Sequence, residues 1–223
     1  MPALLPSGLE NALAQDRARA QTLDPESVSR ETWDRLDRYV ALLLERQQVM
    51  NLVAPSTLPQ LWTRHVADSL QLLPLAPAAR TWIDFGSGAG FPGMVIACAL
   101  AEIAGAAVHL VDGTKKKAAF LSDVARDLAL PVTVHPERME DFARTNRVSF
   151  DVVTARAVAP LSKLLDYANP LLKKGTVGLF PKGQDVAAEL TEAAKSWKIE
   201  AELVPSKTDP QGRIVLVRHA TRL

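Results

Sequence analysis

One segment near the middle of the chain has the residue types of a small-molecule binding loop. Residues 82–93 read WIDFGSGAGFPG, so an acidic strand end leads directly into Gly86, Gly88 and Gly90. Glycine is needed where the backbone takes positive φ, or where a side chain would keep a ligand away from backbone N–H groups. A turn that serves packing alone does not require three alternating glycines. We therefore predict a ligand loop between a strand and a helix that Pro92 can begin.

The loop by itself leaves two classes of ligand open. Residues 88–93 also fit the dinucleotide pattern G-x-G-x-x-G. Two features favour S-adenosylmethionine: Asp84 offers an acceptor to cationic groups, and Phe91 with Pro92 crowds the helix start, where a diphosphate would need open N–H groups. Asp112, at the end of the next predicted strand, can accept the ribose hydroxyls of either cofactor.

Further candidates follow the later strands. Met139 and Glu140 come after the third predicted strand, where an adenine ring can pack against apolar and acidic groups. Arg156 follows the fourth strand, at the carboxyl edge where open α/β sheets bind ligands. It could hold a cofactor carboxylate, a phosphate or guanine O6, with a surface salt bridge as the alternative. Lys182 follows the fifth strand and is either an RNA contact or a solvated lysine.

Two other charged groups are weaker candidates. Lys116 lies in a run of three lysines that opens a helix, a place that the helix dipole disfavours for cations. An RNA phosphate could offset that, although a solvated face fits equally well. His65 and Asp68 share a face of a short helix. Two ligands are too few for a metal site, so we expect no metal and a structural role in a helix that lines or caps the cleft.

The elements that must position these residues alternate between strand and helix patterns. Seven short runs rich in β-formers are predicted as strands: 82–85, 108–111, 132–134, 151–154, 177–180, 201–204 and 214–217. Helical spacing separates the first six, which indicates a mostly parallel sheet covered by helices. The turn-rich residues 205–212 join the last two runs into an antiparallel edge hairpin. We therefore predict an α/β Rossmann-like fold with a mostly parallel seven-stranded sheet, similar to that of class I methyltransferases.

The chain before the first strand has a helical pattern. Apolar residues recur at helical spacing, namely Trp33, Leu36, Val40, Leu43 and Leu44. Prolines at 55, 59, 74 and 77 then interrupt the chain and leave a short helix near 61–72. We predict a helical N-terminal extension, 1–78, and a catalytic domain, 79–223.

Composition limits the class of protein. A chain of 223 residues with 48% hydrophobic residues can bury a full α/β core. Its net charge of +1 gives no overall basic field, so any nucleic acid must bind to local patches. The single cysteine, Cys98, lies in an apolar run and fits a reducing compartment. With no signal-like start and no long apolar run, we expect a cytoplasmic monomer that makes no membrane contact.

Several separate motifs resemble one known family. They are residues 50–53 (MNLV), 64–70 (RHVADSL), 86–93 (GSGAGFPG), 151–158 (DVVTARAV) and 180–183 (FPKG). In this order and spacing the chain resembles the bacterial glucose-inhibited division protein B family, from about residue 31 to residue 217. Two segments depart from common members: residues 112–117 (DGTKKK) vary the usual sequence, and Pro181 stands where many members have a small or apolar residue.

The resemblance implies a set of cofactor contacts and a reaction. Matched to the family's motifs, the contacts with S-adenosylmethionine are Gly86, Phe91, the segment Asp112-Gly113-Thr114, the pair Met139-Glu140, and Arg156. The implied reaction is methylation of N7 of a guanine in 16S ribosomal RNA, with the RNA or the small ribosomal subunit as partner. Guanine N7 carries an in-plane lone pair, so no general base is needed and Arg156 is expected to position rather than to transfer protons.

Three alternatives remain open from the sequence. They are a nicotinamide-dependent oxidoreductase, a methyltransferase for small molecules, and a catalytically silent RNA-binding assembly factor. Binding of S-adenosylmethionine rather than NAD excludes the first, and methyl transfer to ribosomal RNA excludes the other two.

Overall fold

The computed structural model describes residues 8–23 and 28–223. Its strands are β1 (Thr81–Phe85), β2 (Ala107–Val111), β3 (Val132–His135), β4 (Val152–Ala155), β5 (Val177–Lys182), β6 (Trp197–Pro205) and β7 (Arg213–Arg222). Its α-helices are α1 (Leu9–Leu23), α2 (Arg30–Gln47), α3 (Asp68–Leu70), α4 (Gly93–Leu100), α5 (Lys115–Asp127), α6 (Met139–Thr145), α7 (Leu161–Leu172) and α8 (Val186–Ala193). Short 3₁₀-helices cover Pro55–Gln60 and Leu73–Leu75, and a π-helix covers Trp62–Ala67.

The strands form one seven-stranded sheet in the order β3-β2-β1-β4-β5-β7-β6. The pairs among β1 to β5 are parallel, whereas β7 pairs antiparallel with both β5 and β6. This confirms the predicted α/β class I methyltransferase fold and its edge hairpin. The chain order reverses between β1 and β4, and ligands of open α/β sheets bind at the carboxyl ends of strands at such a point.

The hairpin strands are longer than the sequence pattern indicated. β6 begins at Trp197 rather than at residue 201, and β7 ends at Arg222 rather than at residue 217. β6 is an edge strand with mostly exposed side chains, so it lacks the apolar alternation on which the prediction relied. A register shift between Glu200 and Ala201 interrupts the pattern further.

Pro181 lies in β5 at a position where its missing N–H costs no hydrogen bond to β4. The last residue pair between β4 and β5 is Thr154 with Leu179, so Pro181 lies beyond that ladder. It pairs with Ile214 on the antiparallel side. Proline is tolerated where its missing N–H is not needed, which explains how this departure from the family pattern is accommodated.

The helices before β1 pack onto one face of the sheet. Ser29 caps α2 by accepting a hydrogen bond from the Thr32 N–H at 3.2 Å. The apolar face of α2 is buried as predicted, with Leu36 and Leu43 fully covered. These helices share one buried cluster with α4 and α5, and α7 covers the opposite face of the sheet. The division into 1–78 and 79–223 stays a prediction.

No helix in the described ranges is long and apolar enough to cross a bilayer.

Candidate functional site

The glycine loop connects β1 to α4 at the reversal point of the sheet. Gly86, Gly88 and Gly90 all have positive φ, at +67°, +58° and +109°. Gly86 donates its N–H to the Val111 carbonyl at 2.8 Å, which ties the loop to the end of β2. The loop therefore lies at the carboxyl ends of β1 and β2, where the sequence placed it.

The three glycines serve different purposes. A Cβ on Gly86 would lie 2.6 Å from Val158 Cγ2, and one on Gly90 would lie 2.7 Å from Tyr39 Oη, so both positions require glycine for packing. A Cβ on Gly88 would meet only the Gly86 carbonyl oxygen at 3.7 Å. Gly88 is thus the one of the three whose missing side chain leaves backbone open to a ligand.

Asp112 bridges the loop and the start of α5. Its Oδ2 accepts the Gly88 N–H at 2.8 Å, and its Oδ1 accepts the Thr114 N–H at 2.7 Å. A carboxylate oxygen has two acceptor positions, so each oxygen keeps capacity for a further donor. The carboxylate is therefore held beside the open backbone of Gly88 and keeps the capacity to accept hydroxyl groups; its predicted contact with a ribose stays a prediction.

Asp84 lies beneath the loop at the start of α4. Burial raises the pKa of this carboxyl to about 6, and hydrogen bonds from Thr154 and Gly93 offset part of the rise. The Thr154 hydroxyl donates to Oδ1 at 2.8 Å and the Gly93 N–H to Oδ2 at 3.2 Å. The helix start is thus occupied by an acidic side chain, and Pro92 there has no N–H. This arrangement disfavours a diphosphate, which binds through free N–H groups at a helix N-terminus.

Arg156 follows β4 and its side chain is 17% exposed. Its Nη1 donates to the Arg64 carbonyl at 2.9 Å and to Asp68 Oδ2 at 3.1 Å, and its Nη2 donates to His65 Nδ1 at 2.7 Å. A guanidinium has five N–H donors. In the described part of the chain the Nε–H and one Nη2–H have no acceptor, so Arg156 is oriented by the protein and keeps donors for a ligand.

His65 is fixed as a neutral ring. Burial, and to a lesser extent the cations of Arg156 and Arg64, lower its pKa to about 3. Because arginine always donates, Nδ1 accepts from Arg156 and the ring proton resides on Nε2, which lies 3.1 Å from Thr57 Oγ1. The ring also stacks on Phe91 with centroids 4.9 Å apart. His65 therefore orients Arg156 and has no free nitrogen for proton transfer.

A cleft of about 1170 Å³ opens over these groups. Five of the predicted site residues line it: Gly86, Gly88, Phe91, Arg156 and Lys182. Residues from 52–71 and from the loop between β6 and β7 complete its lining. Ala157, next to Arg156, has φ +56°, a strained value for a residue other than glycine and one that is common at functional sites.

The remaining predicted cofactor residues lie outside the lining of this cleft. Gly113 packs against Arg138, so that a Cβ there would lie 3.3 Å from Arg138 Cγ, which brings the segments after β2 and β3 together. Met139 and Glu140 begin α6, and Glu140 Oε1 accepts the Tyr167 hydroxyl at 2.9 Å. Thr114 is the N-cap of α5 and is exposed. Their cofactor roles stay predictions.

The two predicted RNA contacts differ in their surroundings. Lys116 is exposed in the first turn of α5. Lys182 has a side chain only 9% exposed; its Nζ pairs with Glu189 Oε2 at 2.7 Å and donates to the Ala159 carbonyl at 2.7 Å. Lys116 is therefore available to a partner, whereas Lys182 must exchange existing bonds to bind one.

Several contacts of the site were not predicted from the sequence. Tyr39 donates its hydroxyl to the Ala89 carbonyl at 2.7 Å and so anchors the glycine loop to α2. Val158 packs on Gly86, and Thr57 faces His65. His65 and Asp68 lie in one of the family motifs and Arg156 lies in another. Nothing in the residue pattern indicates that these two motifs meet in the fold.

Sequence comparisons find similar proteins over most of the chain. The chain is 59% identical to ribosomal RNA small subunit methyltransferase G of Bradyrhizobium sp. (strain ORS 278) over 207 residues, 93% of this chain and 92% of that protein. The protein of the same name from Rhodopseudomonas palustris (strain BisB18) is 58% identical over 203 residues, 91% and 86% of the two chains.

Solved structures share the fold at low identity. The O-methyltransferase TomG from Streptomyces achromogenes, in complex with SAM, aligns with a TM-score of 0.58 and 12% identity over 92% of this chain and 97% of that one. An O-methyltransferase from Bacillus cereus in complex with SAH gives 0.55 and 16% over 94% and 99%. The family model of rRNA small subunit methyltransferase G matches residues 32–215. The chain thus belongs to the rRNA small subunit methyltransferase G (GidB) family, as its motifs predicted.

Proposed function

We propose that this protein methylates N7 of one guanine in 16S ribosomal RNA, with S-adenosylmethionine as methyl donor. The observation that carries the proposal is the open backbone of Gly88, which lines the same cleft as Arg156 and whose N–H is bonded to the Asp112 carboxylate behind it. Membership in a family named for methylation of small-subunit rRNA supports the substrate.

The residues around the loop fit this cofactor. Gly88 leaves space against the backbone, and Asp112 keeps acceptor capacity for ribose hydroxyls. The Asp84 carboxylate already accepts the Gly93 N–H at the start of α4, so this N–H is not open to a diphosphate. Gly86, Phe91, Gly113, Thr114, Met139 and Glu140 are the other proposed cofactor contacts. When bound, the cofactor supplies an electrophilic methyl group attached to a sulfonium.

The protein's own part in the reaction is alignment and exclusion of water. Guanine N7 presents a lone pair without deprotonation, so the required groups are those that orient the base and stabilise it as it becomes cationic. Leu52, Val53 and Pro181 line the cleft and offer apolar surface to a purine. Arg156 is the proposed positioning residue, since two of its donors have no acceptor among the residues that the structure describes. His65 is neutral and fully engaged, which agrees with a reaction that uses no general base.

The proposed setting is a cytoplasmic monomer that binds the small ribosomal subunit or its RNA. Lys116 is the proposed phosphate contact outside the cleft, and Lys182 a second one within it.

The test is in vitro methylation with labelled S-adenosylmethionine, using small subunits and RNA from cells that lack this gene. The expected product, mapped by nuclease digestion and mass spectrometry, is a single N7-methylguanosine in 16S RNA. Arg156→Ala should lower kcat/KM by about 100-fold and keep the circular dichroism of the wild type. Methylation of metabolites but not of RNA, or binding without any transfer, would refute the proposal.

A further inference from the structure

The carboxylate that holds Arg156 is itself held from the other side. Asp68 Oδ2 accepts from Arg156, while Asp68 Oδ1 accepts two hydrogen bonds, from Thr208 Oγ1 at 2.7 Å and from Gln71 Nε2 at 2.7 Å. Thr208 lies in the loop between β6 and β7, 140 residues further along the chain. One side chain therefore joins the hairpin loop to the guanidinium in the cleft.

Gln71 is also hydrogen-bonded to the hairpin loop. Gln71 is 3% exposed, and its Oε1 accepts the Lys207 N–H at 2.8 Å. Its Nε2 also lies 3.2 Å from Ser206 Oγ, and that hydroxyl is 3.0 Å from Thr208 Oγ1. The amide orientation of Gln71 follows from these partners, because its oxygen faces an N–H donor and its nitrogen faces acceptors. Hydrogen bonds therefore hold this network both at Asp68 and at the hairpin loop.

The two oxygens of Asp68 have different partners, and this fixes the orientation of the carboxylate. A carboxylate bonded through one oxygen can rotate about its Cβ–Cγ bond, and a guanidinium bound to it can follow. With Thr208 and Gln71 on Oδ1, the plane of the Asp68 carboxylate is set, and Oδ2 is held where Arg156 Nη1 meets it. Hydrogen bonds to a charged acceptor are among the stronger ones in proteins. The side chains of Arg156 and Asp68 are also mostly shielded from water.

We propose that Thr208 and Gln71 are positioning residues that orient Arg156 in the cleft through Asp68. The proposal rests on the proposed function in that Arg156 binds the cofactor or the base. Neither residue touches the reacting atoms in this scheme. Both residues also line the cleft, so a direct contact with the ligand is the competing explanation. The proposal predicts instead that their effect on ligand binding passes through Arg156, and a double-mutant cycle distinguishes the two.

The experiment measures S-adenosylhomocysteine affinity by calorimetry and kcat/KM for methylation, in wild type, Thr208→Val, Thr208→Ser and Arg156→Ala, and in Thr208→Val combined with Arg156→Ala. Thr208→Val keeps the shape of the side chain and removes the hydroxyl. We expect about a tenfold loss of affinity or of kcat/KM for Thr208→Val, recovery to within about twofold for Thr208→Ser, and no further loss when Arg156 is already alanine.

Thr221→Val, at an exposed position of β7, is the matched control and should behave as wild type. An equal loss in both backgrounds would show that Thr208 acts on the loop and not through Arg156, and wild-type behaviour of Thr208→Val would refute the proposal directly. Normal affinity and turnover in Arg156→Ala would show that Arg156 does not bind the cofactor or the base, and would refute the proposal. A wild type that binds S-adenosylhomocysteine but leaves 16S RNA unmodified would refute the proposed substrate instead, and the binding data would still decide the role of Thr208.

Discussion

His65 should make the protein less stable as the pH falls, and the variant His65→Asn isolates that effect. Asparagine can place an amide oxygen where the histidine presents Nδ1 to Arg156, but it does not titrate. In the folded wild type the pKa of His65 is lowered to about 3 from an ordinary value of 6.5, chiefly by burial. A lowered histidine pKa stabilises the fold fully above about pH 6.5 and progressively less as the pH falls towards 3.

The magnitude follows from the two pKa values. At pH 5 the unfolded chain protonates an imidazole of pKa 6.5 almost completely, whereas the folded protein keeps it neutral. The pH lies 1.5 units below the unfolded pKa, and each unit corresponds to about 1.36 kcal/mol, so the loss at pH 5 relative to pH 8 is about 2 kcal/mol. This figure depends on the unfolded pKa alone as long as the folded pKa lies well below 5.

Urea unfolding of both proteins at pH 8 and pH 5 measures the effect. Asp84, His109 and His135 also have shifted pKa values, but they titrate in both proteins and cancel in the difference. The free energy of unfolding of the wild type, relative to that of His65→Asn, should fall by about 2 kcal/mol between the two pH values. A difference that does not change with pH would mean that His65 protonates normally in the folded state and does not accept from Arg156.

Three further changes test other parts of the structure. Gly88→Ala should weaken S-adenosylhomocysteine binding at least tenfold in calorimetry, and it should lower the free energy of unfolding by about 1–2 kcal/mol because residue 88 has positive φ. Gly86→Ala should in addition displace Val158, so its melting temperature should be the lower of the two. Equal melting temperatures for the two variants would contradict the packing role of Gly86. Burial raises the pKa of the Cys98 thiol to about 12, so iodoacetamide should label it only in denaturant, and rapid labelling of the folded protein, followed by mass spectrometry, would contradict that burial. Lys116→Ala should reduce the salt dependence of RNA binding, measured by filter binding at several salt concentrations, by about one phosphate contact. Lys173 is exposed at the opposite edge of the sheet, so Lys173→Ala should leave the salt dependence unchanged. The same salt dependence in both variants would refute the contact at Lys116.

The local pattern of the chain was sufficient for the fold and for the position of the glycine loop. Alternation of β-rich and helical runs depends on side chains close in sequence, and all seven strands lie where those runs predicted. The acidic residue after β2 was likewise predictable, because strand ends of a parallel sheet meet at one edge. The exposed ends of β6 and β7 were not, since an edge strand needs no apolar alternation.

Tertiary structure alone decided what each site residue touches. The sequence singled out three glycines, but only the packing of Val158 and Tyr39 distinguishes Gly86 and Gly90 from Gly88. Arg156 meets His65 and Asp68 across about 90 residues of chain, and Asp68 meets Thr208 across 140. Contacts at such separations depend on how the sheet closes and how the N-terminal helices dock on it, which no local preference of the backbone encodes.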